Sequence, residues 1–539
     1  AAFRDNLVLG SGVGSHREVY PLYLNESLST EYTHAESGYF QVASEMGTGG
    51  LVLLLAGIGL CASWCIHCLR YAESKRVLAC LGATSAGLAA SVLHSFVDFV
   101  WYIPACMSIT TILIACTFRL SHFSQPEQSG EKTVAQVPRM VWLGLTTALI
   151  AMGCWMIHDR LGPALASPYW DEYLRMSRIS TERQEKELRY ADSKQEDAER
   201  ESVAETVAMI NQLEKVIEYN PTYVRAHLRM AGACLQYFDQ LQQASANAMD
   251  LSQICDAAIA SKFSSRAELD EWLSRSVGED RKLLEKALWH THRGLQLCPL
   301  QGEGYLYLAN LCFLEGGRAT SRRAYVDQAL KVRPYDGGVL LQAGKVAILA
   351  GDVAQAMDYW KRCFQSGGIH QLQLIQLLAG HLPLTFVLDQ FNPNLSDMQM
   401  LYLRYKRVSS AEELKQLSQR YVSRANSDLT REDGKKAARA WLFANRMDRD
   451  LGDTDRAIQS AQQAYAFAPG SYQVRYVLAR SLLEAKQFSE AETHLRWCLG
   501  RKPRNQNLRS FMEAAVKGRI RGENQNMSAS NANHPQSHR

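Results

Sequence analysis

Apolar residues are crowded unevenly along this chain. Four stretches without a formal charge, 50–69, 77–97, 99–118 and 140–158, fill the first third, and the sequence after His158 sets apolar positions among polar ones at helical spacing. A helix of about 20 residues rises about 30 Å, the thickness of a bilayer core, so each stretch predicts a membrane-spanning helix. Only Asp98 separates the second from the third, which predicts a tight hairpin at one membrane face, with Trp101 and Tyr102 suited to the interface. Arg70, Lys75 and Arg76 follow the first stretch, and Arg119, Lys132 and Arg139 follow the third. Basic links stay cytoplasmic, so residues 1–48, the Asp98 turn and the long polar remainder fall on the exported side.

The remainder is self-similar. Pro299 and Pro334 stand 35 residues apart, and Pro469 and Pro503 stand 34 apart, each behind an amphipathic helix pattern. Small residues recur where antiparallel helices approach closely: Gly344 and Ala356, Ala457 and Ala464, Ala479 and Ala491. Asn220-Pro221-Thr222-Tyr223 reads as a further junction, giving at least five units within 203–518, with degenerate helices between Gln365 and Asp450. This spacing resembles tetratricopeptide repeats, which implies an α-solenoid whose concave groove takes a protein partner or acceptor; a rigid spacer or an oligomer contact is the other use. The expected fold class is all-α, polytopic helices followed by a solenoid. Residues 159–202, with Glu182, Arg183, Glu185, Lys186, Glu187 and Arg189, predict a solvated charged linker helix, and 519–539 a disordered tail rich in Asn, Ser and Gln.

Composition narrows this picture only slightly. Among 539 residues, 59 basic and 55 acidic side chains leave a net charge of +4, which argues against a nucleic-acid binder. Seven of the 13 cysteines lie in the apolar third and read as small core residues. Cys61, Cys65 and Cys68 share a helix face, but no further Cys or His completes four ligands, so no metal is expected, and no cofactor. The chain opens on Ala1 without a leader pattern, which reads as the C-terminal portion of a longer protein.

Residues 1–48 hold the candidate chemistry. Gly10-x-Gly12-x-Gly14 precedes Tyr20-Pro21; then come His34-Ala35-Glu36-Ser37, Tyr39-x-Gln41 and Glu45-x-Gly47-x-x-Gly50. The glycine run lacks the Lys-Ser/Thr of a phosphate loop, so a nucleotide site is not expected. Together with His94-Ser95-Phe96-Val97-Asp98-Phe99 and Ile103-Pro104, these stretches resemble the O-antigen ligase and O-antigen polymerase superfamily of bacterial membrane glycosyltransferases. That resemblance covers about residues 1–157. It implies transfer of a glycan from a polyprenyl diphosphate carrier to an acceptor hydroxyl at the periplasmic face of the inner membrane. Glu36 stands where the ligases place their functional histidine, so either His34 or Glu36 takes that role, Ser37 holding the spacing. Arg4 and Arg17 are candidate partners of the diphosphate, since guanidinium forks match phosphate oxygens. Asp98, costly between two spans unless paired, is a binding or a structural-pair candidate. The alternative is a non-catalytic membrane-anchored repeat scaffold in envelope polysaccharide assembly.

Overall fold

The computed structural model describes residues 2–26, 31–124, 139–190, 196–244, 249–261, 263–430 and 434–532, and among them every regular element is helical. Lys132, counted above among the cytoplasmic basic residues, lies outside them. Two compact units divide the chain: residues 1–182 with 194–370, and residues 183–193 with 371–539.

The first unit opens with two short helices, α1 (Ala2–Asp5) and α2 (His16–Val19), and a 3-10 turn, Tyr20–Tyr23. Four long helices follow: α3 (Gly38–Tyr71), α4 (Lys75–His94), α5 (Pro104–Phe123) and α6 (Arg139–Tyr190). By length and composition all four are able to cross a membrane. Their bounds differ from the uncharged stretches for local reasons. The helix of the third stretch starts at Pro104 rather than at residue 99, because proline suits the first helical position, and 99–103 make the turn. The fourth stretch and the expected linker as far as Tyr190 are one helix, α6, which runs through Pro163 and Pro168, while the linker's last residues, 196–202, belong to the next helix. An interior proline costs about 3 kcal/mol. Burial of Ala166 and Tyr173 against the repeat helices offsets it.

Helices α3, α4 and α5 pack on one another and reverse direction in turn. At one end Gly38 N–H donates to the carbonyls of Ser95 (2.9 Å) and Asp98 (3.1 Å), and Tyr39 Oη donates to Val92 O (3.1 Å). At the other end Cys68 Sγ meets Ser124 Oγ at 3.1 Å. The outer faces stay apolar and uncovered: Leu53 of α3 is 70% exposed, Leu93 of α4 65% and Ile112 of α5 60%. Apolar surface on this scale needs an apolar environment or further helices around it.

Still in the first unit, α7 (Glu196–Tyr219) and α8 (Val224–Gln243) begin the solenoid. Two helices, α9 (Leu251–Ser261) and α10 (Arg266–Ser276), intervene before α11 (Arg281–Leu297), and α8 pairs with α11 across this insertion. The regular pairs α12 (Gly302–Leu311) with α13 (Ala319–Val332) and α14 (Gly337–Leu349) with α15 (Val353–Ser366) come next. Helix α16 (Gly368–Ala379) straddles the division between the units. The second unit holds α17 (Leu384–Phe391), α18 (Leu395–Tyr405) and α19 (Ala411–Asp428). Two further pairs complete it, α20 (Gly434–Asp450) with α21 (Thr454–Phe467) and α22 (Tyr472–Glu484) with α23 (Phe488–Arg501), followed by α24 (Gln506–Ala532).

Pro299, Pro334, Pro469 and Pro503 each stand two residues beyond a helix, those ending at Leu297, Val332, Phe467 and Arg501, where a missing N–H costs least. Ala356, Ala457, Ala464, Ala479 and Ala491 are all buried at helix crossings. The backbone of α24 stays helical through Ala532 instead of loosening at 519, since no proline interrupts it before Pro535. Residues 533–539 lie outside the described ones.

Candidate functional site

Glycines shape the end of the layer where α3 begins. Inside α3, Gly47 takes φ 64° and ψ −160°, a conformation essentially closed to other residues, and the helix kinks there. The kink lets the preceding loop lie across it. Ser11 N–H donates to Ser44 O (2.9 Å), Gly12 N–H to Glu45 O (2.9 Å), and Thr48 N–H to Leu7 O (2.7 Å). Contact is so close that a Cβ on Gly10 falls 2.3 Å from the Glu45 carbonyl carbon, and one on Gly47 falls 2.5 Å from Val8 O. Gly10, Gly12 and Gly14 all have positive φ, so the Gly-x-Gly-x-Gly run is a turn seated on the kink.

At the centre is Glu45, which is 1% exposed. Its Oε1 accepts from the His16 backbone N–H (3.2 Å) and from Gln41 Nε2 (3.2 Å). Its Oε2 is buried with no partner in hydrogen-bond geometry among the described residues. The Tyr102 hydroxyl comes up to the same carboxylate, and the Tyr102 ring packs 5.4 Å from His34. Burial depresses the His16 imidazole below its ordinary value; the Glu45 charge opposes the shift, and His34 adds to it, which leaves His16 neutral near pH 7. A buried carboxylate, an imidazole and a phenol hydroxyl are thus gathered at one point.

The residues singled out from the sequence are only partly brought together. His34 stacks on Phe99 (5.0 Å, 13°), and its Nδ1 lies 3.0 Å from Thr33 Oγ1. Ser37 is buried and its Oγ donates to Ser95 O at 3.4 Å. Asp98 pairs with His94 Nε2 at 3.2 Å and accepts from the Phe99 N–H at 2.7 Å. These three sit where the start of α3 meets the α4–α5 turn. Glu36 is exposed between His34 and Ser37. Arg17 is committed to Glu31 through Nη2, and that bond raises its pKa further. Arg4 is exposed on α1, outside the cluster. Glu45 and His16 carry the geometry yet were not chosen from the sequence as site residues. The available signal was an acidic residue two positions before Gly47 at the mouth of an apolar stretch.

A tetratricopeptide family model matches residues 449–510. No curated protein matches the chain. Among solved structures, a tetratricopeptide protein of Thermus thermophilus is 18% identical over 40% of this chain and 99% of its own, with a TM-score of 0.19. One from Parabacteroides merdae is 10% identical over 59% and 96%, also with a TM-score of 0.19. The chain spans 39% of a matching chain of a Naa15/Naa10 complex bound to HypK-THB, over 47% of its own length, at 17% identity and a TM-score of 0.26. Those scores are too low to superpose the molecules. The family match and the helix pairing above establish a tetratricopeptide-repeat domain, a protein-interaction fold.

Proposed function

We propose that this chain is the membrane glycosyltransferase of O-antigen ligase or polymerase type that its motifs resemble. It moves a glycan from a polyprenyl diphosphate carrier to an acceptor hydroxyl at the periplasmic face of a bacterial inner membrane, and its repeats bind a protein partner or acceptor. One observation carries this reading. Three segments separated in sequence, the glycine turn, residues 34–45 and the 95–103 turn, meet at a buried carboxylate where α3 begins and α4 gives way to α5. An acceptor hydroxyl presented there meets His16 and His34, groups able to take its proton as the bond to the sugar forms, while Glu45 is buried. Glu36, exposed next to His34, is placed to orient the acceptor. The departing diphosphate needs cations. Arg4 is open to solvent, and Arg17 becomes available only by leaving Glu31.

That engagement of Arg17 favours a second reading, a membrane-anchored scaffold whose loop holds itself closed and whose repeats do the work. Glycan display by cells carrying the full-length protein separates the two. His34→Ala, Glu36→Ala and Glu45→Gln, at unchanged protein level, are expected to lower surface glycan by a factor of ten or more in at least one case. Undiminished glycan in all three removes the catalytic assignment and leaves the scaffold.

A further inference from the structure

The repeats do more than offer a groove. Glu18, on the two-turn segment after the glycine run, reaches into the start of the solenoid and is met there by three side chains. Arg225 Nη2 lies 3.2 Å from its Oε1, while Gln301 Nε2 and Arg333 Nη2 donate to its Oε2 at 2.7 and 2.9 Å. Arg333 Nη1 also donates to the Glu18 backbone carbonyl at 3.0 Å. The three donors come from successive junctions of the solenoid: Arg225 opens α8, Gln301 precedes α12, and Arg333 follows α13. The Arg333 stem lies over Gly302 so closely that a Cβ there falls 2.7 Å from its Cγ. Glu18 and Arg333 are also largely shielded from water, with 21% and 15% of their side chains exposed, so the pairing is screened less than a surface ion pair.

We propose that the first repeats act as a clasp that positions the glycine-turn loop on Glu45, with Glu18 as the positioning residue. Glu18 stands two positions after His16, whose N–H is bound to Glu45. Fixing the one therefore limits the travel of the other. Neighbouring contacts point the same way: Val19 and Pro21 are buried, and Glu31, the partner of Arg17, also comes within 3.6 Å of Arg225. The clasp is distinct from binding of an outside partner, because the ligand of these junctions is the chain's own carboxylate. It rests on the glycan-transfer reading only for what the positioned loop then does.

Hydrogen exchange of the full chain in lipid nanodiscs tests it, alongside surface glycan in cells. Glu18→Arg changes only the loop side and so does not threaten the fold of the repeats. It is expected to speed exchange at the amides of Ser11, Gly12 and His16 at least tenfold, with α12 and α13 amides unchanged. The swap Glu18→Arg with Arg333→Glu is expected to restore those amides to within threefold of the parent. Surface glycan is expected to fall in Glu18→Arg and recover in the swap. Loop exchange within threefold of the parent in Glu18→Arg overturns the clasp. A loosened loop with full glycan overturns the positioning role. Loop exchange as expected in a parent chain that makes no glycan upholds the clasp and instead sinks the transfer reading.

Discussion

Replacing Gly47 with alanine puts the architecture of the site to its most direct test. At φ 64° and ψ −160° an alanine carries about 1–3 kcal/mol of backbone strain. Its Cβ would also lie 2.5 Å from Val8 O and 2.7 Å from Gly10 N, both backbone atoms that move only if the loop moves. The loop is held on the kink by four backbone bonds, from Ser11, Gly12, Thr48 and Gly49, each worth about 1 kcal/mol net, with the His16 N–H to Glu45 and the Glu18 contacts following along the chain. Strain plus clash thus offsets much of what holds this part of the loop, and the cheapest relief is for it to lift. A shift of about 3 kcal/mol in that opening corresponds to on the order of 100-fold faster exchange. Amide exchange by mass spectrometry on the full chain in nanodiscs reads it at Ser11, Gly12 and Thr48. Gly57→Ala in the same helix is the control, since nothing lies within 4 Å of its added Cβ. Exchange at these three amides unchanged in Gly47→Ala would refute the claim that the glycines exist to seat the loop.

Two further outcomes concern the repeats. His227 Nε2 faces the Pro221 carbonyl (3.0 Å) and therefore carries its proton, so its Nδ1 accepts from His290 Nδ1–H at 2.9 Å. Burial depresses both imidazoles, His290 to about 4, helped by His227 and Lys286; Arg293 adds to the shift at His227. Their unfolded forms take up protons near pH 6.5 while the folded forms do not, so stability is full above that pH and falls as pH drops toward 4. The loss is up to about 3 kcal/mol for His290, and His290→Asn is expected to flatten the decline in thermal melts between pH 7 and pH 4. Gly344→Ala places a Cβ 2.1 Å from the Trp360 indole Nε1, which is buried and donates to Leu341 O at 3.3 Å. Overpacking of about 1–3 kcal/mol outweighs the helix-propensity gain of up to about 1 kcal/mol, so its melting point should drop, and Trp360→Leu should recover part of the loss; an unchanged melting point would show that the indole yields freely.

What the sequence reveals here depends on the range of the interaction. Uncharged runs of bilayer length and the 34- to 35-residue proline spacing are local or periodic, and they read directly as helices and helix pairs. The start of α5 was misplaced because periodicity carries no strong end signal, whereas Pro104 does. The insertion of α9 and α10 between the paired helices α8 and α11 is invisible to a repeat count, since their sequences are ordinary amphipathic helices. His34, Ser37 and Asp98 were singled out because they lie in or beside recognisable short motifs. Glu45 was read as part of the Glu-x-Gly-x-x-Gly motif but not as a site residue. Its burial arises from the kink at Gly47 and from a loop about 30 residues earlier in the chain, and that loop is not encoded near it. Glu18 is harder still, as its partners Gln301 and Arg333 follow 283 and 315 residues later.

Two carboxylates consequently tie one short segment down, Glu45 to α3 through the His16 N–H and Glu18 to the repeats. If both grips act on a single docked state of the loop, their losses cannot add. Glu18→Arg alone and Gly47→Ala alone each release the segment, and once it is free the second change finds little left to break. Combining them should raise loop exchange no more than threefold beyond the stronger single variant, although independent sites would multiply their effects. The double-mutant cycle needs only the exchange rates of Ser11, Gly12 and His16 in four proteins. Multiplying effects would mean that the kink and the repeats restrain separate stretches of the loop, and that a change in the repeats has no route to Glu45.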